Sequence, residues 1–203
     1  MRLWWSARSP YVRKVMLALH ELGLAERVEI LPVTVTERTP HLNPALAAEN
    51  PAVTIPTLVF PDGTALSEST LICLELDRQF APGVLVPAGQ EARVLARTAL
   101  ASQLTDALMK LRLYAGIKAE GMDLRIAGCE WKRAGLLAWF ERDMQGVRRK
   151  RPDLGDLGLC SALAYLDFRF AEQDWRGAYP GLAEWMSGMA ARPSFAATEH
   201  ADA

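Results

Sequence analysis

Leu3-Trp4-Trp5-Ser6-Ala7-Arg8-Ser9-Pro10-Tyr11-Val12-Arg13-Lys14-Val15 is the stretch from which the rest of the chain is best read. Leu3 to Trp5 is a short apolar run suited to a strand. From Pro10 onward Val12, Val15, Met16, Leu19 and Leu22 recur at helical spacing, with Gly23 as a stop. Proline favours the first helical position, which makes Ser9 the natural N-cap. Free N–H groups and the positive end of the helix dipole favour an anion there. Ser9 therefore has two compatible roles, a cap and a hydrogen-bond donor to a bound anion.

Working outward, Val28 to Val33 reads as a second strand, so strand, helix and strand imply a parallel pair. Thr57-Leu58-Val59-Phe60 and Thr64-Ala65-Leu66 flank Pro61-Asp62-Gly63, a hairpin signal. Glu68 to Phe80 returns to helical spacing. Residues 81–89, rich in Pro and Gly, suit a linker between a domain over 1–80 and another over 90–203. Beyond it the periodicity predicts helices from Glu91 to about Lys118, Ala127 to Arg149, Asp153 to Glu172 and Gly181 to Arg192. The expected architecture is an α/β domain followed by an all-α helical bundle. Asp153-Leu154-Gly155-Asp156 reads as a capping element at a helix start. Asp167 and Arg169 offer an internal ion pair.

Composition narrows the chemistry. Half of the 203 residues are hydrophobic, and the net charge of -1 exerts no pull toward nucleic acid or anionic membrane. The run Arg148-Arg149-Lys150-Arg151 lacks interleaved aromatics and is read as a solvated helix end. No signal peptide is visible, and nowhere do about 18 apolar residues run together. Cys73, Cys129 and Cys160 stand in apolar helical surroundings, as small core residues of a reducing compartment. With His20, His41 and His200 the whole histidine complement, no metal centre is expected. The cytoplasm is the expected location.

Four segments carry a family resemblance that spans nearly the whole chain. They are Ser9 to Val15, then Asn50-Pro51-Ala52-Val53-Thr54-Ile55-Pro56-Thr57-Leu58, then Leu66-Ser67-Glu68-Ser69, and finally Tyr179 to Leu182 with Trp185 and Arg192-Pro193-Ser194. Together they resemble the cytosolic glutathione transferases, serine-type bacterial members in particular. The resemblance implies a thioredoxin-like N-terminal domain with a mixed four-stranded sheet. Ser9 and Val12 occupy positions where glutaredoxins carry the two cysteines of Cys-Pro-Tyr-Cys. A site without its own thiols suits a thiol supplied by a ligand, glutathione as co-substrate.

The same resemblance implies particular roles. Ser9 would hydrogen-bond the glutathione sulfur and stabilise its thiolate. Ile55 would pair its peptide groups with the cysteinyl part of the ligand, and Pro56 would be cis. Glu68 and Ser69 would hold the γ-glutamyl end, although by themselves they read as a turn and helix cap. Trp5, Ala7 and Arg8, with Met109 and Leu113 on the long helix, are candidates for a pocket taking a small hydrophobic electrophile, where plain core is the other reading of Met109 and Leu113. A homodimer joining one α/β domain to the other subunit's helical domain is implied as well. Val53-Thr54 departs from the Gly and Lys of many relatives. Ser6 with Ser9 leaves a double-serine isomerase-like arrangement conceivable. Other readings on the same fold are a non-catalytic regulatory protein, a glutathione-dependent isomerase, dehalogenase or peroxidase, and a reductase using the remaining cysteines.

Overall fold

The computed structural model describes residues 1–35, 43–144, 147 and 149–202; His41 and Arg148 lie outside the described residues. Strand β1 (Arg2–Trp5) leads through helix α1 (Pro10–Glu21) and a 3₁₀ turn (Ala25–Arg27) to strand β2 (Glu29–Pro32). The two strands pair in parallel with Leu3 opposite Ile30, so α1 is the crossover that such a pair requires. A short helix, α2 (Pro44–Glu49), precedes β3 (Thr57–Val59), β4 (Ala65–Ser67) and helix α3 (Ser69–Phe80). Sheet order is β2-β1-β3-β4, with β3 antiparallel to both of its neighbours. In the β3–β4 turn the Asp62 carboxylate accepts from the Thr64 N–H at 2.9 Å. Gly63 adopts φ 87° there, where a Cβ would be strained.

The second half is helical: α4 (Glu91–Tyr114), α5 (Met122–Met144), α6 (Leu154–Arg169), α7 (Trp175–Ala178), α8 (Pro180–Ala190) and α9 (Pro193–Ala196). Every residue of α6 from Leu154 to Leu166 is buried, between α1 on one side and α4 on the other. That explains its lack of a polar face, since a helix apolar all round belongs in a core. Its start is a capping box: the Asp153 side chain accepts from the Asp156 N–H at 3.0 Å, and the Asp156 side chain from the Asp153 N–H at 3.0 Å. Arg97 of α4, also buried, donates to both carboxylates.

Residues 81–90 are tied to both halves rather than slack. Asp77 accepts from the N–H of Leu85 at 2.7 Å, and the Leu85 carbonyl accepts from Leu154 at 2.9 Å. Helix α1 is stitched to the helical half along its length. Ser161 donates to the Pro10 carbonyl at 2.6 Å, Lys14 to Ser102 at 3.4 Å, and Arg192 grips Glu21 through two bonds of 2.7 and 2.6 Å.

The structure corrects several local expectations. Helix α4 stops at Tyr114, short of Lys118, because Ala115 leaves the helical region at ψ 122°. Helix α5 starts at Met122 and ends at Met144, so the basic run does not end it. Within the run Lys150 and Arg151 are exposed, but Arg149 is half-buried, pairing with Asp156 at 2.7 Å and approaching Asp153 at 3.5 Å. Asp167 and Arg169 do not pair with each other, because Asp167 takes two bonds from Arg176 and Arg169 reaches Asp202 at 2.7 Å. Helices α2, α7 and α9, four to six residues each, are too short to show a 3.6-residue period. α9 continues the chain two residues after α8, where Pro193 starts a new turn.

Candidate active site

Strand register brings the sequence-predicted residues to one edge of the sheet. Trp4 of β1 lies opposite Thr57 of β3, and Thr57 opposite Ser67 of β4. Because β3 runs antiparallel to the other two, the segment after β1, the segment before β3 and the segment after β4 all emerge at that end. These segments hold Ser9, Ile55 and Pro56, and Glu68 and Ser69, respectively.

Ser9 is the N-cap of α1, with extended backbone (φ −89°, ψ 121°) and Pro10 following. Its Oγ accepts from the Val12 N–H at 3.3 Å. A hydroxyl has one proton and two lone pairs, so capping leaves the proton available for another acceptor. Among the described residues nothing receives it, and the Tyr11 N–H is equally without an acceptor. A thiolate arriving at this tip finds an O–H donor and the positive end of a helix.

The loop before β3 is held by Asn50, whose role the sequence did not disclose. This buried amide donates to Thr54 O, Thr54 Oγ1 and Thr57 Oγ1 at 3.2, 3.0 and 2.9 Å, and its Oδ1 accepts from Ala52 at 3.1 Å. The Ile55–Pro56 peptide is cis. Val53 adopts φ 49°, a left-handed conformation that a β-branched residue rarely takes. Val53 thus holds a backbone conformation that glycine takes without strain. Within the described residues neither the N–H nor the C=O of Ile55 is hydrogen-bonded, which leaves one exposed peptide edge for an extended ligand.

Glu68 is the second strained residue, at φ 74°. Its carboxylate caps α3, accepting from the N–H groups of Thr70 at 3.1 Å and Leu71 at 3.2 Å, and from the Ser69 hydroxyl at 3.3 Å. The helix-cap role expected from these two residues is therefore real. A carboxylate has about four lone-pair directions, so three accepted bonds leave room for one ammonium. The Ser69 N–H has no acceptor among the described residues.

Beside Ser9 a cleft opens under the β1–α1 loop. It is lined by Trp5, Ser6, Ala7 and Ser9, by Arg13 and Met16 of α1, by Ile30 of β2, and by 197–199 of the C-terminal segment. Trp5 and Ala7 are thus brought together with Ser9. Arg8, Met109 and Leu113 are not in this lining: Arg8 and Leu113 are exposed, and Met109 packs half-buried against the core. Sequence reasoning passed over Arg13 and the C-terminal segment. That segment is pinned by His200, whose Nδ1 donates to the Ala7 carbonyl at 2.8 Å while its ring stacks on Phe168 at 5.0 Å. Burial lowers the His200 pKa to about 4, so the ring is neutral near pH 7.

All three cysteines are free and buried, and burial pushes the Cys73 and Cys160 thiols up to about 12. Neither supplies a thiolate for redox chemistry. No group of histidine, cysteine and carboxylate side chains suited to a metal is found among the described residues. No helix among them is long and apolar enough to cross a membrane.

A mixed sheet in this order, with a cis-proline loop and a capped α1 at one edge and a helical bundle behind it, is a thioredoxin-like domain joined to an all-helical one. The family model described as glutathione S-transferase, N-terminal domain, matches residues 8–79. A glutathione transferase family member from Pseudomonas fluorescens Pf-5, solved with bound glutathione, is 31% identical; the match covers 98% of each chain at a TM-score of 0.88. A glutathione S-transferase from Methylobacillus flagellatus, also with glutathione bound, is 29% identical over 98% of this chain and 99% of that one, TM-score 0.85. An uncharacterised GST-like protein of Escherichia coli K12, YibF, is 26% identical over 98% of both chains. The chain belongs to the glutathione transferase family.

Proposed function

We propose that the protein is a glutathione transferase that joins the glutathione sulfur to small hydrophobic electrophiles, with Ser9 donating a hydrogen bond to the thiolate. The observation that carries this reading is the uncommitted hydroxyl proton of Ser9 at the tip of α1, on the sheet edge shared with the unpaired Ile55 peptide and the Glu68–Ser69 turn. Ile55 pairs with the cysteinyl unit, the Ser69 N–H faces the γ-glutamyl carboxylate, and the vacant direction of the Glu68 carboxylate takes its ammonium. Relatives that bind glutathione supply the ligand by analogy. Burial of the cysteines speaks against a disulfide reductase on this fold.

Magnitudes divide the labour. A free thiol of pKa ~8.5 is about 3% thiolate at neutral pH, and lowering that pKa by about two units raises the fraction roughly 25-fold. Nucleophilicity falls with basicity at a slope of about 0.4–0.5, which leaves a net gain of only about three-fold. Further acceleration comes from holding the electrophile beside the sulfur. Calorimetry with glutathione and conjugation of 1-chloro-2,4-dinitrobenzene test the proposal. Glutathione binds at millimolar concentration or below, and Ser9→Ala loses most of kcat while retaining binding; unchanged conjugation in that variant overturns the role of Ser9.

The same reading includes a homodimer. Leu71 on α3 is exposed beside a groove formed with Phe60, Leu66 and Leu74, and Leu95 and Trp131 are exposed on the helical half. Exposed apolar side chains on both domains suit reciprocal contact. Sedimentation equilibrium gives twice the chain mass on this reading, and a monomer at micromolar concentration refutes it.

A further inference from the structure

Arg13 is 5% exposed, yet no carboxylate lies within ion-pair distance of it among the described residues. One Nη donates to the Phe195 carbonyl at 3.3 Å, and the guanidinium stands 4.3 Å over the Phe195 ring. Its Nε has no acceptor. A guanidinium carries five N–H donors, and a buried charge without a counter-charge is costly. The acidic groups that bear on it do not fill the gap. Asp167 is engaged by Arg176 and by the Trp175 indole at 2.7 Å, Cys160 is neutral, and Glu199, in the same cleft lining, is exposed and makes no ion pair with Arg13. Arg13 lines the cleft together with Ser9, and the remaining walls include the apolar Trp5, Met16 and Ile30.

We infer that this cleft is a subsite for a carboxylate on the electrophile, with Arg13 as its anchor: the favoured substrates pair a compact apolar body with one carboxylate. This rests on the thiol-transfer reading above and adds a substrate class to it. A single guanidinium beside apolar side chains matches one monoanionic group, and Glu199 in the same lining repels more highly charged ones. Cation–π contact with Phe195 holds the guanidinium in place before the ligand arrives, so little side-chain entropy is lost on binding.

The probes are 4-chloro-3-nitrobenzoate and its neutral amide. In both, the glutathione sulfur forms a bond to the ring carbon bearing chlorine. The C–Cl bond breaks, chloride leaves with the electron pair, and the thiol proton goes to solvent. The readout is the ratio of kcat/KM for acid over amide within each protein, which cancels any shared loss from altered packing. The wild type prefers the acid. The ratio falls about ten-fold or more in Arg13→Met, as loss of a charge-assisted hydrogen bond implies, and is partly restored in Arg13→Lys. Glu199→Gln raises it about two-fold, a modest change because Glu199 is exposed and screened. An equal ratio in wild type and Arg13→Met overturns the subsite. Turnover of neither probe, with glutathione bound, refutes the transferase reading instead. Calorimetry of 3-nitrobenzoate against 3-nitrobenzamide then decides the subsite alone: a preference for the acid lost in Arg13→Met upholds it, and equal binding in both proteins overturns it.

Discussion

Two buried arginines sit in the same protein under opposite electrostatic conditions. Arg97, 2% exposed, lies between the carboxylates of Asp153 and Asp156 at the α4–α6 contact, where Arg149 adds a second cation. Arg13 has a carbonyl, an aromatic ring and a cleft. Both leave Nε unbonded, so an unsatisfied N–H does not distinguish them. The counter-charge does. Around Arg97 the ion cluster is closed and also caps α6, and packing is so tight that a Cβ on Gly155 would stand 2.9 Å from the Arg97 Cβ. Around Arg13 the anion is missing and space adjoins Ser9. A closed cluster serves the fold, whereas an open one leaves charge to spend on a ligand.

Removing each arginine breaks or sharpens that contrast. Arg97→Met leaves two buried carboxylates with Arg149 as their remaining cation and costs about 3 kcal/mol, the low end for a broken buried pair, read from urea unfolding. A loss below about 1 kcal/mol would show that the cluster is solvated and the contrast false. Next in size is the acid response of the cleft wall. His200 titrates at about 4 in the fold against 6.5 for the unperturbed ring. A depressed folded-state value means its contribution is complete above about pH 6.5 and lost as pH falls toward 4. That amounts to at most about 3 kcal/mol. Amide exchange across 197–202 accelerates over that window, and His200→Ala abolishes the pH dependence; exchange that is flat with pH would show the segment pinned by other contacts. Arg13→Met has the smallest effect on stability, within about 1 kcal/mol of wild type, because no opposite charge is left behind. A loss comparable to that of Arg97→Met would reveal a structural ion pair instead of a ligand anchor.

Much of this arrangement was legible from local pattern. Ser9 before Pro10, the period through Leu19 and the hairpin at Asp62-Gly63 each state their structure within a dozen residues, and together they place three chain segments at one sheet edge. Asp153 was likewise readable as a cap, but its clasp with Arg97 was not, because the partners stand 56 residues apart. Arg13 was read past for the same reason: the Phe195 carbonyl that holds it is 182 residues away. Asn50 illustrates another limit. Its motif was noticed, yet a single amide stitching Thr54 and Thr57 emerges only once the loop has folded back on itself. Helices of four to six residues fell below the length at which periodicity carries information.

The central claim is that Ser9 holds the ligand thiol in its ionised form, and ultraviolet titration of the thiolate in the glutathione complex tests it most directly. On this account bound glutathione titrates about two units below the ~8.5 of a free thiol in the wild type and returns toward that value in Ser9→Ala. The same titration curve in both proteins would contradict it.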